Sequence, residues 1–327
     1  MSNYSVASSP GKVILSGEYA VLDNAPAICM AIDCRAEAKI QECDDRFSEV
    51  KSIGYSSDAG EFESSEKGII WRKGRETYAV IEAVWHAINF NELIDLKINL
   101  DTASYIDAQS EKKLGLGSSA AIIVALVAAI KNCDDPEKIK LLTHKAHKQL
   151  QGGLGSGADV ATSLFGGLIK YQQENYTTKS LIWPRNLFYR LIWTGSPVST
   201  KDKLIRFMEA PDKLSRKELI DASICMATYW QSGDTKKILV GYEDYCELLC
   251  KFSSDYDLGI FSMGHKELLS QAKKDNLIYK PCGAGGGDVG ILLGVDENKL
   301  DKFCFSMRND FKRLDYKLSL NGVRIES

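Results

Sequence analysis

The sequence lacks the features that mark membrane-spanning, secreted and nucleic-acid-binding proteins. No uninterrupted apolar run approaches the ~20 residues that a membrane-spanning helix needs. The polar start, MSNYSVASSPGK, also lacks the charged-then-apolar order of a signal peptide. The 41 Lys and Arg residues are offset by 44 Asp and Glu residues, and no basic tail or stripe is present. We therefore expect a cytoplasmic protein that binds neither a membrane nor nucleic acid.

Cysteine spacing gives no sign of a metal site or a disulfide framework. The nine cysteines are an odd number and contain no CxxC pair. Cys246 and Cys250, four residues apart in a helical pattern, are typical of small hydrophobic side chains in a reducing compartment. A zinc site is therefore not predicted.

The length of 327 residues and the 44% of hydrophobic residues suit about two domains with ordinary cores. Periodicity indicates mixed strands and helices, with short buried strands at residues 13–15 and 27–32. The pattern becomes polar near residues 175–184 and then restarts, which places a domain boundary between residues 1–182 and 183–327. Residues 44–67 are acidic, serine-rich and aperiodic, so they form either an exposed hairpin or a mobile loop.

A glycine loop runs straight into an apolar helix in the stretch KKLGLGSSAAIIVALVAAI, which begins at Lys112. Gly115 and Gly117 let backbone amides approach an anion, and Ser118 and Ser119 stand where the helix begins. Free N–H groups, the positive end of the helix dipole and two hydroxyls then meet at one point, as in a phosphate site. The alternative is a Gly/Ser turn that only caps a core helix.

The common phosphate-binding classes do not fit this loop. The chain has no GxxxxGK[ST], which excludes the P-loop, and no HRD or DFG, which excludes a protein kinase. Gly115, Gly117 and Ala120 match GxGxxA, but the residues before them are polar and charged rather than a first buried strand. A dinucleotide-binding fold is therefore not predicted.

Two further glycine loops follow in the chain. GSGADVATSLFGG places Asp159 in the first turn of a short apolar helix, where an aspartate alone usually serves only the helix dipole. PCGAGGGDVGILLG begins at Pro281 and has five glycines within residues 283–290. Such a density is costly for a plain turn, and it favours backbone amides that face phosphates closely.

Three motifs, in this order, resemble those of the GHMP kinases, the family of galacto-, homoserine, mevalonate and phosphomevalonate kinases. They are SSPGKVILSGEYAVL with Lys12 and Glu18, then GLGSSAA, then GAGGGD, and together they span nearly the whole chain. The resemblance implies an α+β fold of two domains with the substrates in the cleft between them. Residues 1–182 would be the ATP-binding, ribosomal-protein-like domain, and residues 183–327 the ferredoxin-like C-terminal domain.

The resemblance also implies roles for individual residues. ATP would be held, with Mg²⁺ on the Ser119 hydroxyl, by Gly115, Leu116, Gly117, Ser118, Ser119 and Ala120. Asp159 matches the catalytic aspartate and Lys12 the lysine beside it; together they would orient the acceptor and offset charge during phosphoryl transfer. The substrate side would comprise Glu18, Tyr19, Ser199, Thr200, Lys201, Gly283, Ala284, Gly285, Gly286, Gly287 and Asp288.

Within the family, GEYAVL, QGGLGSGADVA, WTGSPVSTK and GAGGGD resemble the phosphomevalonate kinase branch. This predicts transfer of the ATP γ-phosphoryl group to phosphomevalonate. The alternatives are mevalonate kinase, a kinase for a sugar or another small alcohol, and a non-catalytic ligand sensor, which would need a broken site. The partners implied are ATP and a small-molecule acceptor, and a homodimer is the one assembly left open.

Two features concern the charges of the site. Mevalonate kinases place a glutamate for Mg²⁺ about eleven residues ahead of the aspartate, whereas this chain has His147 and Lys148 there. We expect these two residues, with the preceding His144 and Lys145, to form a solvated helix face, the alternative being that they face a phosphate. Without an acidic ligand, Mg²⁺ would depend on ATP oxygens, Ser119 and water. A phosphorylated acceptor would need cations, for which the candidates are Lys12, Lys201 and Lys203, with Lys203 expected to be a surface charge.

Overall fold

The computed structural model of the protein describes residues 4–65, 68–90, 94–198 and 200–326. It is the mixed α+β architecture predicted, with one large and one small sheet covered by helices. The strands are β1 (Tyr4–Ser16), β2 (Ala27–Cys43), β3 (Ser48–Ile53), β4 (Gly60–Ser65), β5 (Gly68–Lys73), β6 (Asp95–Asp101), β7 (Leu168–Gln172), β8 (Thr177–Leu181), β9 (Phe188–Trp193), β10 (Ile278–Pro281), β11 (Val289–Gly294), β12 (Lys312–Leu314) and β13 (Arg324–Glu326). The helices are α1 (Ala79–Ile88), α2 (Ser118–Lys131), α3 (Pro136–Leu150), α4 (Ala158–Phe165), α5 (Thr200–Glu209), α6 (Leu214–Ser232), α7 (Thr235–Asp255), α8 (His265–Lys274) and α9 (Glu297–Ser306).

The large sheet has the strand order β13-β1-β2-β6-β3-β4-β5, and β7 and β8 extend it from the other end of β2. Its first two strands are much longer than the short strands predicted from apolar runs, because their polar halves pair in the same antiparallel ladder. Between residues 44 and 65, β3 and β4 pair antiparallel, so this part of the chain is a hairpin. Residues 66 and 67 of the predicted loop lie outside the described residues.

Helix α2 is the centre of the larger unit. Every residue from Ala120 to Ala129 is buried, and the helix packs on β1 and β2. Helix α3 begins where predicted, since the Asp135 side chain accepts a hydrogen bond from the Glu137 N–H and Pro136 occupies the first helical position. It packs against α1, α2 and α4. The helix starts of α2 and α4 are thereby held against β1.

The smaller sheet has the order β10-β11-β9-β12 and is antiparallel throughout. The chain leaves the large sheet at Leu181 and enters the small one at Phe188. The last strand returns to the large sheet, where Val6 pairs with Glu326. A division at residues 182 and 183 remains our proposal, with β13 crossing back over it. None of the helices in the described ranges is long and apolar enough to cross a membrane.

Candidate active site

A cleft of about 330 Å³ collects the predicted residues from distant parts of the chain. Its wall is built from β1, the loop before α2, the start of α4, the segment before α5 and the loop between β10 and β11. The predicted residues that line it are Lys12, Glu18, Tyr19, Gly115, Gly117, Ser118, Ser119, Asp159, Thr200, Gly283, Ala284 and Asp288. Ser199 lies outside the described residues, and Lys201 is exposed and does not line the cleft.

A second cavity, of about 310 Å³, adjoins the cleft and shares Lys113, Ser118 and Ser119 with it. Its other walls are mainly apolar and aromatic, with Tyr55 and Tyr78 among them. The two spaces therefore form one elongated site with the start of α2 in the middle. Apart from Ser118 and Ser119, the residues that line this cavity were not predicted from the sequence, because nothing in the local pattern of β3 or α1 points to a ligand.

The start of α2 has the geometry of an anion site. Gly117 precedes the helix with φ 84°, and the first helical hydrogen bond runs from the Ala121 N–H to the Gly117 carbonyl at 3.1 Å. The N–H groups of the first helical turn before Ala121 therefore lack helical acceptors, as at any helix start. Leu116 and Ala120 are buried instead, and the Leu116 carbonyl accepts from the Lys12 N–H at 2.9 Å. These two residues anchor the loop rather than line the cleft.

We expect Gly117→Ala to weaken nucleotide binding. A Cβ at this position would stand 2.9 Å from the Lys12 side chain, and its φ of +84° strains any L residue. Strain of this kind costs about 1–3 kcal/mol, which is about 5- to 150-fold in affinity if the whole cost falls on the bound state. ADP affinity measured by calorimetry tests this. Gly152→Ala is the matched control, because Gly152 also has a positive φ but no atom lies within 4 Å of its Cβ position. Equal losses in both variants would contradict the expectation.

Asp159 lies in the first turn of α4, and each of its carboxylate oxygens has a polar neighbour in the protein. Oδ1 accepts from the Val160 N–H at 2.9 Å, and Oδ2 lies 3.4 Å from Nε2 of His147. Burial by itself raises the pKa of this carboxyl, but the charges of His147 and Lys12 and the Val160 N–H outweigh it, so its pKa lies below the usual value. Asp159 is therefore an ionised group and a weak base.

The prediction of a solvated histidine face on α3 is wrong. His144 and His147 are each 2% exposed, whereas Lys145 and Lys148 are exposed as expected. The reason is that α3 packs against three other helices, and positions three apart share one helix face. The His144 ring stacks on Tyr176 at 3.8 Å, and burial lowers its pKa to about 3.

The first and third glycine loops meet through Asp288 and Lys12. The Asp288 side chain lies directly against Gly115, leaving no room for a Cβ there. Burial raises the pKa of Asp288 to about 6, although the charge of Lys12 opposes this. The Lys12 side chain crosses Gly117, and its Nζ lies 3.9 Å from the Cβ position of Gly283. An ammonium group thus stands between the two loops.

The middle of the third loop faces away from the cleft. Gly285 and Gly286 pack on the chain at residues 259–260, and Gly287 packs on the Ser196 carbonyl. Their role is therefore to let the loop pass close to other backbone. Lys203 holds this loop by donating to the Gly285 carbonyl at 2.7 Å, and burial lowers its pKa to about 8. The expectation that Lys203 is a surface charge is wrong.

Two predicted substrate residues have structural partners as well. The Tyr19 hydroxyl donates to the Ala284 carbonyl at 2.9 Å. Glu18 is 3% exposed and pairs with the fully buried Lys280, while the Tyr245 hydroxyl donates to its other oxygen at 2.8 Å. This pair joins the start of the chain to the strand before the third loop. Lys280, the partner of Glu18, was not predicted, because nothing in the sequence around it indicates a buried ion pair.

The family resemblance implies Mg²⁺, and the residues of the cleft supply only part of the ligand set that this ion would need. In the described ranges, no group of three or more His, Cys, Asp or Glu residues could hold a metal ion. The hydroxyl of Ser119 is an oxygen ligand of the kind that Mg²⁺ accepts, and it lies at the junction of the two cavities. The remaining ligands would have to come from a nucleotide and from water.

Comparisons with known proteins point to the same family as the sequence motifs. The family model described as "GHMP kinases N terminal domain" matches residues 77–167. A phosphomevalonate kinase from a Streptomyces species is 27% identical over 88% of this chain and 89% of its own. A mevalonate kinase from Archaeoglobus fulgidus is 34% identical over 98% of this chain and 99% of its own. Among solved structures, Streptococcus pneumoniae phosphomevalonate kinase in complex with phosphomevalonate and AMPPNP has a TM-score of 0.76 at 18% identity, covering 95% and 99% of the two chains.

Proposed function

The chain belongs to the GHMP kinase family, and from that premise we propose that it is a phosphomevalonate kinase. The reaction would transfer the γ-phosphoryl group of ATP to the phosphate of phosphomevalonate, giving diphosphomevalonate and ADP. Its similarity to phosphomevalonate and mevalonate kinases identifies it as an ATP-dependent phosphotransferase of the mevalonate pathway. The acceptor and the roles of individual residues are the substance of the proposal.

The two adjoining cavities suit the two substrates. The aromatic cavity beside α1 suits the nucleotide base, and the start of α2 suits the triphosphate, because backbone N–H groups and two serine hydroxyls meet there. The cleft with Lys12 and Asp159 then receives the acceptor next to the γ-phosphate. Mg²⁺ held by ATP oxygens, Ser119 and water would offset the charge that develops on the phosphates.

The observation that carries the choice of acceptor is the surroundings of the Asp159 carboxylate, which lies 3.4 Å from Nε2 of His147 and shares the cleft with Lys12. Its pKa lies below the usual value, since the charges of His147 and Lys12 outweigh its burial. A mevalonate hydroxyl must lose a proton in the reaction, and a weak base helps little with that. A phosphate acceptor is already anionic near neutral pH. It needs a group that orients it and a cation that offsets its charge, and Asp159 and Lys12 supply these.

Mevalonate is the alternative acceptor. The relatives include several mevalonate kinases, one of them 34% identical. The Asp288 carboxylate also stands beside Lys12 in the cleft, and when ionised it would oppose the binding of a second phosphate.

The test is ADP release with MgATP, run side by side on phosphomevalonate, mevalonate and galactose. We expect turnover with phosphomevalonate alone, and a loss of about 10²- to 10³-fold in the Asp159→Asn variant, which excludes a contaminating kinase. Turnover of mevalonate instead would overturn the proposed acceptor and would make proton removal by Asp159 the central step. If the protein binds its ligands but releases no ADP with any of the three acceptors, it is a ligand sensor rather than a kinase.

A further inference from the structure

A buried imidazole stands directly behind Asp159. The His147 side chain is 3% exposed and reaches from α3 to α4, where its Nε2 lies 3.4 Å from Oδ2 of Asp159. The same Nε2 lies 3.1 Å from Nε2 of Gln151, one turn further along α3. Gln151 lines the cleft, whereas His147 does not. His147 therefore meets any acceptor only through these two neighbours.

The two neighbours make opposite demands on one ring atom. The carboxylate of Asp159 requires that Nε2 carry a proton and donate it, whereas the amide group of Gln151 requires a bare Nε2 that accepts. When Nε2 is protonated, Gln151 can turn its carbonyl oxygen toward the ring instead.

We propose that His147 is a positioning residue for Asp159 in the transfer step. This inference rests on the proposed function, since it assumes that Asp159 orients the acceptor. The Val160 N–H donates to Oδ1 at 2.9 Å and the His147 Nε2 lies 3.4 Å from Oδ2, so each carboxylate oxygen has a neighbour that limits its rotation. The remaining lone pairs of the carboxylate are then directed into the cleft.

The residue type at position 147 also affects the charge state of Asp159. A carboxylate at position 147 would face Asp159 as a like charge and would raise its pKa. A histidine there acts in the opposite direction, and His147 is among the groups that lower the pKa of Asp159. His147 thus favours an orienting, ionised Asp159 over one that removes protons.

Three variants separate positioning from packing. Loss of a group that orients a reacting residue costs about 10- to 100-fold in activity, so we expect His147→Leu to lower kcat by that much with little change in KM for ATP. His147→Gln should recover part of the loss, because its terminal amide reaches about as far as Nε2. His144→Gln is the control, since His144 is equally buried on the same helix but stacks on Tyr176. It should lower the melting temperature and spare kcat.

Nitrogen NMR of the imidazoles tests the contact without any substrate. The chain has only four histidines, so the His147 signals can be assigned with the His147→Gln variant. We expect Asp159→Asn to shift the His147 signals and to leave those of the exposed His86 in place.

The outcomes distinguish this inference from the proposed function. Unshifted His147 signals, or wild-type kcat in His147→Leu beside an inactive Asp159→Asn, would overturn the positioning role alone. Equal losses of kcat in His144→Gln and His147→Leu would also overturn it, because packing would then explain both. An active Asp159→Asn would instead overturn the role of Asp159, whatever the NMR signals show.

Discussion

Asp159→Asn should lower kcat by about 10²- to 10³-fold, the loss that follows removal of one group that acts in the transition state. Asparagine has the same shape and keeps an oxygen for the Val160 N–H, but it loses the charge that pairs with His147 and Lys12. Affinity for ATP should stay nearly unchanged, because the start of α2 is built from other residues. A residue that acts mainly in the transition state affects turnover far more than ground-state binding.

Steady-state kinetics and nucleotide calorimetry on the same preparation measure both quantities. Asp135→Asn is the matched control, since Asp135 is also an aspartate at a helix start, with its side chain on the Glu137 N–H. It should keep full turnover. Wild-type-like turnover in Asp159→Asn would contradict the role given to this residue.

Lys280→Met should destabilise the fold by about 3–5 kcal/mol, the usual cost of breaking one side of a buried ion pair. Lys280 is 0% exposed, and its ammonium contacts Glu18 and also donates to the Pro281 carbonyl at 2.7 Å. Removal of the cation leaves the Glu18 carboxylate buried without its counter-charge. Because Pro281 starts the third glycine loop, acceptor affinity should fall as well.

Urea unfolding of the variant and of the double variant with Glu18→Gln tests this explanation. The double variant should lose less than the sum of the two single losses, since it buries no unpaired charge. Lys251→Met is the control, because Lys251 pairs with Glu218 at 2.7 Å on the surface, with side chains 47% and 31% exposed. It should cost about 0–1 kcal/mol. Additive losses in the double variant would show that the ion pair is not the cause.

Much of the site could be predicted from the sequence because its signals are local. Each signal involves residues within one helical turn of each other. They are the positive-φ glycine before α2, the serine pair at its start and the aspartate in the first turn of α4. The same holds for the cap at Asp135, where helix α3 begins as predicted. Three motifs in a fixed order, SSPGKVILSGEYAVL, GLGSSAA and GAGGGD, were enough to indicate the family and the fold class, and the comparisons confirm both.

The sequence by itself therefore determined the helix starts, the glycine loops and the family, since each depends on residues next to one another in the chain. Only the tertiary structure decided how these parts are held. His147 became the partner of Asp159 through the packing of α3 on α4, and Lys203 became the support of the third loop. Glu18 and Lys280 pair across 262 positions. No local pattern records such contacts, because burial and charge pairing depend on which distant segments fold together.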